Sequence, residues 1–167
     1  MSIGDEMLAE FQEELAATRR ILGRVPAEKL AWKPHDKSMS LGQLAMHIAT
    51  VPAGIARITS TESFDVLQGN FTPPLPENTA EIHAALEDSA RIVETTLHET
   101  DDAWSQAPWR LMAGDRELQT RPRCKAWRTL MLNHWYHHRG QLTVYLRLLG
   151  VPVPVIYGPS ADESPFA

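Results

Sequence analysis

Three histidines fall within five residues of this chain: His134, His137 and His138. Imidazole is the side chain best suited to bind a transition-metal ion or to move a proton near neutral pH. In a helix, His134 and His138 point within about 40° of each other on one face. Such a pair can hold one ion from one side, as in several zinc enzymes. Two ligands are rarely enough, so another element must bring a third. His47 lies beside the apolar stripe of an earlier helical stretch and is the natural third ligand. A lone imidazole on an apolar stripe is more often a hydrogen-bonded core residue than a ligand. Metal ligation is therefore expected of the set, not of any one member. His134 and His137 are also helix neighbours. The stripe runs on from His138 into Leu142 and Tyr145, however, which puts His138 inside and His137 on the flank. His35 is expected in a loop, with His83 and His98 facing solvent.

Other reactive side chains offer less. Cys124 is the single cysteine, three residues before Trp127, and reads as a buried, inert thiol. Trp32 and Trp109 are candidates to line a pocket, and Arg139 is expected in a surface ion pair. Asp101 and Asp102 read as a solvated turn or helix end. The chain has no phosphate-binding P-loop, dinucleotide glycine fingerprint or nucleophile elbow.

Four helical stretches would position the histidines. The first runs over about residues 3–23, with Ile3, Met7, Phe11, Leu15 and Leu22 on one face and Gly23 and Pro26 as its stop. The second opens at Ser40 with a capping box to Gln43, flanked by Met39 and Leu44 as a hydrophobic staple. Its stripe is Leu41, Leu44, Ile48, Val51, Ile55 and Ile58, and Pro52 should bend it. Residues 59–77, with Gly69, Pro73, Pro74 and Pro76, read as a long crossover connection. Asn78 and Glu81 open a third helix striped by Ile82, Leu86, Val93 and Leu97, ending near Thr100. Residues 109–118 suggest a small hairpin around Ala113–Asp115. The last helix is expected to start with Pro122 at its first position. Its stripe is Trp127, Met131, His134, His138, Leu142, Tyr145 and Leu149, and Gly150 and Pro152 end it. The tail from Val151 to Ala167 reads as an extended strap. The pattern implies an all-α fold, a four-helix bundle in one domain over residues 1–167.

Composition narrows the function. A chain of 167 residues, 43% hydrophobic and 22% charged, buries a core without disulfides or a structural metal. A formal charge of −5 with no Lys/Arg cluster lacks the footprint of a nucleic-acid binder. The acidic N-terminus has no apolar signal segment, and the uncharged-rich stretch Ser38–Ala56 is too polar to span a bilayer. A soluble cytoplasmic protein that binds neither nucleic acid nor membrane is expected.

Two stretches carry a family resemblance. Asn133-His-Trp-Tyr-His-His-Arg-Gly-Gln-Leu142 resembles the last-helix signature of DinB-like proteins, which include the YfiT-type metal-dependent proteins. In that pattern a His is followed four residues later by His-Arg-Gly-Gln, here His134 and His138-Arg139-Gly140-Gln141. Trp32 to Ile48 resembles the family's entry into the second helix, with His47 at the metal-ligand position, and the tail Leu149 to Glu163 is similar to many members' endings. The resemblance implies a four-helix bundle in which His47, His134 and His138 hold one divalent ion, of zinc, nickel or iron. It also implies a homodimer. Members with known activity are thiol-dependent, including a mycothiol-dependent maleylpyruvate isomerase and bacillithiol or related S-transferases. The expected function is therefore a metal-dependent thiol S-transferase or isomerase acting on a small electrophile with a low-molecular-weight thiol. The alternatives are a non-catalytic metal-binding stress protein and a metal-dependent hydrolase. Gln43, Tyr136 and Gln141 are candidates to orient the imidazoles.

Overall fold

The computed structural model of the chain describes residues 1–164. Long helices follow the apolar stripes: α1 (Ile3–Leu22), α2 (Leu41–Thr59) and α3 (Thr79–His98), with a short α4 (Asp102–Gln106). The last helical stretch has three parts: α5 (Arg123–Ala126), a π-helical segment over Trp127–Asn133, and α6 (His134–Leu148). Helix α2 is central, packing on α3, α6 and the π segment, while α1 packs on α3 and α6. The core is built from Phe11, Leu44, Ile48, Val93, Trp127 and Trp135, all at most 1% exposed.

The caps follow the sequence with one addition. Ser40 and Gln43 form the expected capping box, and Asn78 accepts from the Glu81 backbone N–H. Ser2 and Asp5 form a further box at the start of α1. Asp101 caps α4 through the Trp104 N–H, so the acidic pair does sit at a helix end.

The fold is mostly helical but not all-α, and it is not a plain four-helix bundle. A sheet ordered β1-β2-β3 is made from β1 (Ser63–Asp65), β2 (Pro108–Ala113) and β3 (Arg116–Pro122). The expected hairpin is present and longer than residues 109–118. Gly114 supplies the turn's positive φ of 59°, as the first central position of a type II′ turn requires. The third strand comes from the crossover connection, where Ser63–Asp65 pairs in parallel with Arg110–Met112. Asp65 closes this corner, accepting from the Leu67 and Gly114 backbone N–H groups at 3.0 Å each. Those two donors, Gly114 first, hold its carboxyl below the usual carboxylate range.

Helix α2 passes through Pro52 because both broken links find new partners. Proline removes the donor for the Ile48 carbonyl, and that carbonyl accepts from Trp135 Nε1 at 2.8 Å. The next N–H, of Ala53, donates to Ser89 Oγ at 2.8 Å. At the helix end the Ile58 carbonyl accepts from Trp109 Nε1, and the Thr59 carbonyl from Arg123 Nε. These terminal carbonyls have no partner within the helix. Thr59 Oγ1, fully buried, also accepts from Trp127 Nε1 at 2.7 Å. Thr59→Val keeps the shape and strands this indole donor. It is expected to lower unfolding stability by about 1–3 kcal/mol in urea denaturation, and a loss within error would show that water replaces the bond.

The last helix departs from expectation in two ways. Pro122 is the residue before the helix, not its first turn. The π segment then inserts roughly one extra residue into the helical phase. Beyond it the buried set is Trp135, His138, Arg139, Leu142 and Leu146, while Tyr145 and Leu149 are only half-buried. Arg139 thereby enters the core at 2% exposure instead of forming a surface ion pair. Cys124 is half-buried rather than enclosed, and so is His83, which was expected to face solvent. The tail from Val151 onward has no regular structure. It is tied down by Asp162 to Arg147 and the Val153 N–H, and by Glu163 to Arg24 and the Val155 N–H. The end of the expected strap, residues 165–167, lies outside the described residues.

Candidate metal centre

The re-phased helix places His134 and His138 at the edge of the core face rather than at its middle, turned toward α2. His47 meets them there. The three Nε2 atoms converge: His47 to His138 at 3.1 Å, His47 to His134 at 3.3 Å, and His134 to His138 at 2.6 Å. Donors placed about 2.0–2.1 Å from one tetrahedral zinc lie roughly 3.4 Å apart, so the set has the right scale for a shared ion. It is the one cluster of three or more His, Cys, Asp or Glu ligand atoms among the described residues with this convergence.

The protonation states suit ligation. Burial, followed by the charges of His138 and His134, pushes the His47 imidazole down to about 4. Burial pushes His138 down to about 4 as well, against the raising effect of Gln141. His134 is lowered by burial and by His137, while a hydrogen bond to the Leu130 backbone works the other way. Removing water disfavours the charged imidazolium, so the neutral ligand form is held near neutral pH.

One of the candidate orienting residues does the task. Gln141 Oε1 lies 2.7 Å from His138 Nδ1, which places that ring's proton on Nδ1 and its Nε2 lone pair toward the other two histidines. Gln43 is engaged instead in the α2 cap and with the Pro73 carbonyl, and the Tyr136 hydroxyl donates to Glu10. Gln141→Leu is expected to weaken divalent-metal affinity by about 10–100-fold while leaving the fold intact. Competition against a chelator of known affinity measures this, and an unchanged constant would remove Gln141 from the centre.

His47 and His134 border a cavity of about 670 Å³. One wall is α2, through Val51, Ile55 and Ile58; the roof is the crossover connection, through Phe64, Phe71 and Pro73. Phe64 and Phe71 meet edge to face at 6.4 Å. A Cβ on Gly69 would come within 2.5 Å of the Phe71 ring, so glycine is what lets that ring fold back over the connection. Neither Trp32 nor Trp109 lines this cavity: Trp32 packs edge-on against Tyr145, and Trp109 is buried beneath β2. His137 and His35 are exposed and outside the cluster, as expected. The roof is the part of the cavity that helical periodicity misses. Its signal is the uncharged run from Val66 to Pro76, which leaves Leu67, Phe71 and Leu75 more than half exposed.

Comparison with known proteins shows the family and agrees with the fold. A family model described as the DinB family matches residues 1–165. The uncharacterized protein YrdA of Bacillus subtilis (strain 168) is 28% identical over 166 residues, covering 95% of this chain and 90% of that protein. A DinB-like protein from Bacillus cereus ATCC 10987 superposes with a TM-score of 0.73 at 25% identity, covering 92% of this chain and 97% of that one. A second DinB-like protein, YjoA of Bacillus subtilis, gives 0.67 at 17% identity over 89% and 96% of the two chains, a likeness of fold alone.

Proposed function

Because this chain belongs to the DinB family, and because its three imidazoles converge beside a cavity, we propose that it is a metal-dependent enzyme. The reaction is of the thiol S-transferase or isomerase type on a small electrophile. The convergence of the three Nε2 atoms, none more than 3.3 Å from another, carries this reading. His47, His134 and His138 would hold one divalent ion, and a neutral three-imidazole set suits zinc, nickel or iron. Bound there, such an ion supplies a positive charge that favours ionisation of a thiol or water and polarises a carbonyl.

The chain's own residues supply the rest. Gln141 fixes the tautomer and ring orientation of His138. The apolar side chains of α2 and of the Phe64–Phe71 roof lower the local dielectric, which strengthens charge interactions beside them. Cys124 is not among the residues lining the cavity, which supports a thiol arriving as a small molecule. No Asp or Glu lines the cavity among the described residues. A hydrolase would want a carboxylate there as general base, so thiol chemistry is favoured over water attack.

Elemental analysis of the purified chain is the first test, with one divalent ion per chain expected. Conjugation of a panel of low-molecular-weight thiols to a chromogenic electrophile follows, before and after metal stripping. Activity that survives stripping would rule out the mechanism. Full metal occupancy with no thiol chemistry would favour a non-catalytic metal-binding role.

A further inference from the structure

The cavity beside the histidines is long, and its candidate ligand groups stand at one end only. Its wall on α2 is the stripe His47, Thr50, Val51, Gly54, Ile55 and Ile58. Steps of three and one alternate there, which keeps the stripe on one face of the helix over about three turns. From His47 to Ile58 that face rises about 1.5 Å per residue, or about 16 Å in all. The sheet closes the Ile58 end. Trp109 Nε1 donates to the Ile58 carbonyl at 3.0 Å, and Phe64 and Leu111, register partners across β1 and β2, both line the cavity. The roof then runs back lengthwise, and its Pro73 carbonyl accepts from Gln43 Nε2 at 3.3 Å, one turn before His47. The space between is a slot along α2, with imidazoles at one end and apolar side chains at the other.

Gly54 marks the middle of that slot. It lies inside α2, where glycine weakens a helix relative to alanine. No turn or close packing calls for it: a Cβ built there would meet nothing within 4 Å. It comes nearly two turns after His47, so it faces the same way and lies about 10 Å further along. A side chain at 54 would stand across the slot and divide the Ile58 end from the histidine end. The missing side chain is what keeps the two ends connected.

Building on the metal-centre reading, we propose that the slot takes an elongated reactant, with one metal-ligating head at the His47–His134 end and an unbranched apolar body laid along α2 toward Ile58. A divalent ion held by the histidines balances the charge of an anionic head such as a thiolate or carboxylate. The Phe64–Phe71 roof covers the body, and Gly54 gives it passage. Length is what the slot selects. With carbon–carbon bonds of about 1.5 Å at about 111°, an extended chain advances about 1.25 Å per carbon. About eight carbons therefore reach Gly54, and about a dozen span the slot.

Straight-chain alkyl hydroxamates of about two to about fourteen carbons, titrated calorimetrically into the zinc-loaded full chain, read the length directly. Each added methylene is expected to tighten binding about two- to fourfold up to about a dozen carbons, and further ones to add nothing. Gly54→Phe should leave the shortest hydroxamate unchanged and end the gain at about eight carbons. Gly54→Leu, which introduces a good helix former, repeats the test if the phenylalanine variant does not fold. Affinity independent of chain length, or a gain that Gly54→Phe leaves intact up to about a dozen carbons, would overturn the proposal. Straight-chain alcohols on the metal-free chain separate this inference from the reading it rests on, because they carry no strong metal-ligating head. If the chain binds no zinc but takes alcohols with the same length dependence and the same cut in Gly54→Phe, the metal centre falls and the slot stands. Zinc held at one equivalent with no length dependence sinks this inference alone.

Discussion

Replacing His138 with Ala is expected to reduce the divalent metal held by the purified chain from one equivalent to less than about a tenth of that. Removing a partner that merely orients a ligand already costs about 10–100-fold in affinity, and removing the ligand itself costs more. His138 contributes the most buried of the three imidazoles, at 8% exposure, and makes the shortest contact, 2.6 Å to His134. Without it two donors remain, on two different helices, and the site loses its third electron-pair donor and the three-point geometry. The same loss has a thermal readout. At a free-metal concentration about 100 times the dissociation constant, binding adds about 2.7 kcal/mol to stability. For a chain of this size that corresponds to a rise of roughly 5–11 °C in Tm. His138→Ala should show no metal-dependent shift over the same range. His137→Ala is the control, because His137 is exposed and outside the cluster; it should keep full occupancy. Full occupancy in His138→Ala would remove the residue from the centre.

The histidine trio was legible because a helix converts spacing into direction. A four-position step from His134 to His138, and a capping box that fixes where α2 begins, were enough to bring His47 to the same side. The caps at Ser40 and Asn78 and the glycine turn at Gly114 were legible for a related reason: each is satisfied by atoms a few residues away. What escaped depends on partners far along the chain. The strand Ser63–Asp65 exists because β2, some 45 residues later, lies beside it, and three residues carry no pattern of their own. The π segment is equally silent in sequence, since Trp127–Asn133 reads as ordinary apolar helix. Its consequence is large: it turns Trp135 into the core, where it stacks on Phe11 and fills the carbonyl vacated by Pro52. It also brings His134 to the border of the cavity, while His138 stays buried and off its lining. A strictly α-helical reading puts His134 in the centre of the stripe, away from the cavity it borders.

The same rotation buries Arg139, and the second large effect is expected there. Its guanidinium lies among the rings of Trp135, Tyr136 and Tyr157, at 5.6, 5.2 and 5.4 Å from their centres. It donates to the Glu14 carbonyl at 2.8 Å, to Thr18 Oγ1 at 3.1 Å, and to the Glu14 carboxylate and the Tyr157 hydroxyl. The Tyr157 hydroxyl in turn donates to Glu14 at 2.7 Å. Burial, with the Glu14 hydrogen bond second, pushes that phenol up to about 12, so it stays protonated and remains a donor. One side chain of α6 therefore joins α1 and the C-terminal tail. The Glu14 side chain is only 14% exposed. Arg139→Met retains much of the apolar stem but leaves that carboxylate without its cation. Breaking one half of such a buried pair costs about 3–5 kcal/mol, a fall of roughly 6–20 °C in Tm for a chain of this length. Removing both charges is a different matter, because two well-packed apolar side chains escape the desolvation cost altogether. The double variant Arg139→Met with Glu14→Met should recover most of the loss. A double-mutant cycle on thermal unfolding measures the coupling between the two positions. If the double variant is as unstable as the sum of the singles, the two side-chain charges act independently, and α6 is held to α1 and the tail by packing and by the other Arg139 hydrogen bonds, to the Glu14 carbonyl, Thr18 and Tyr157.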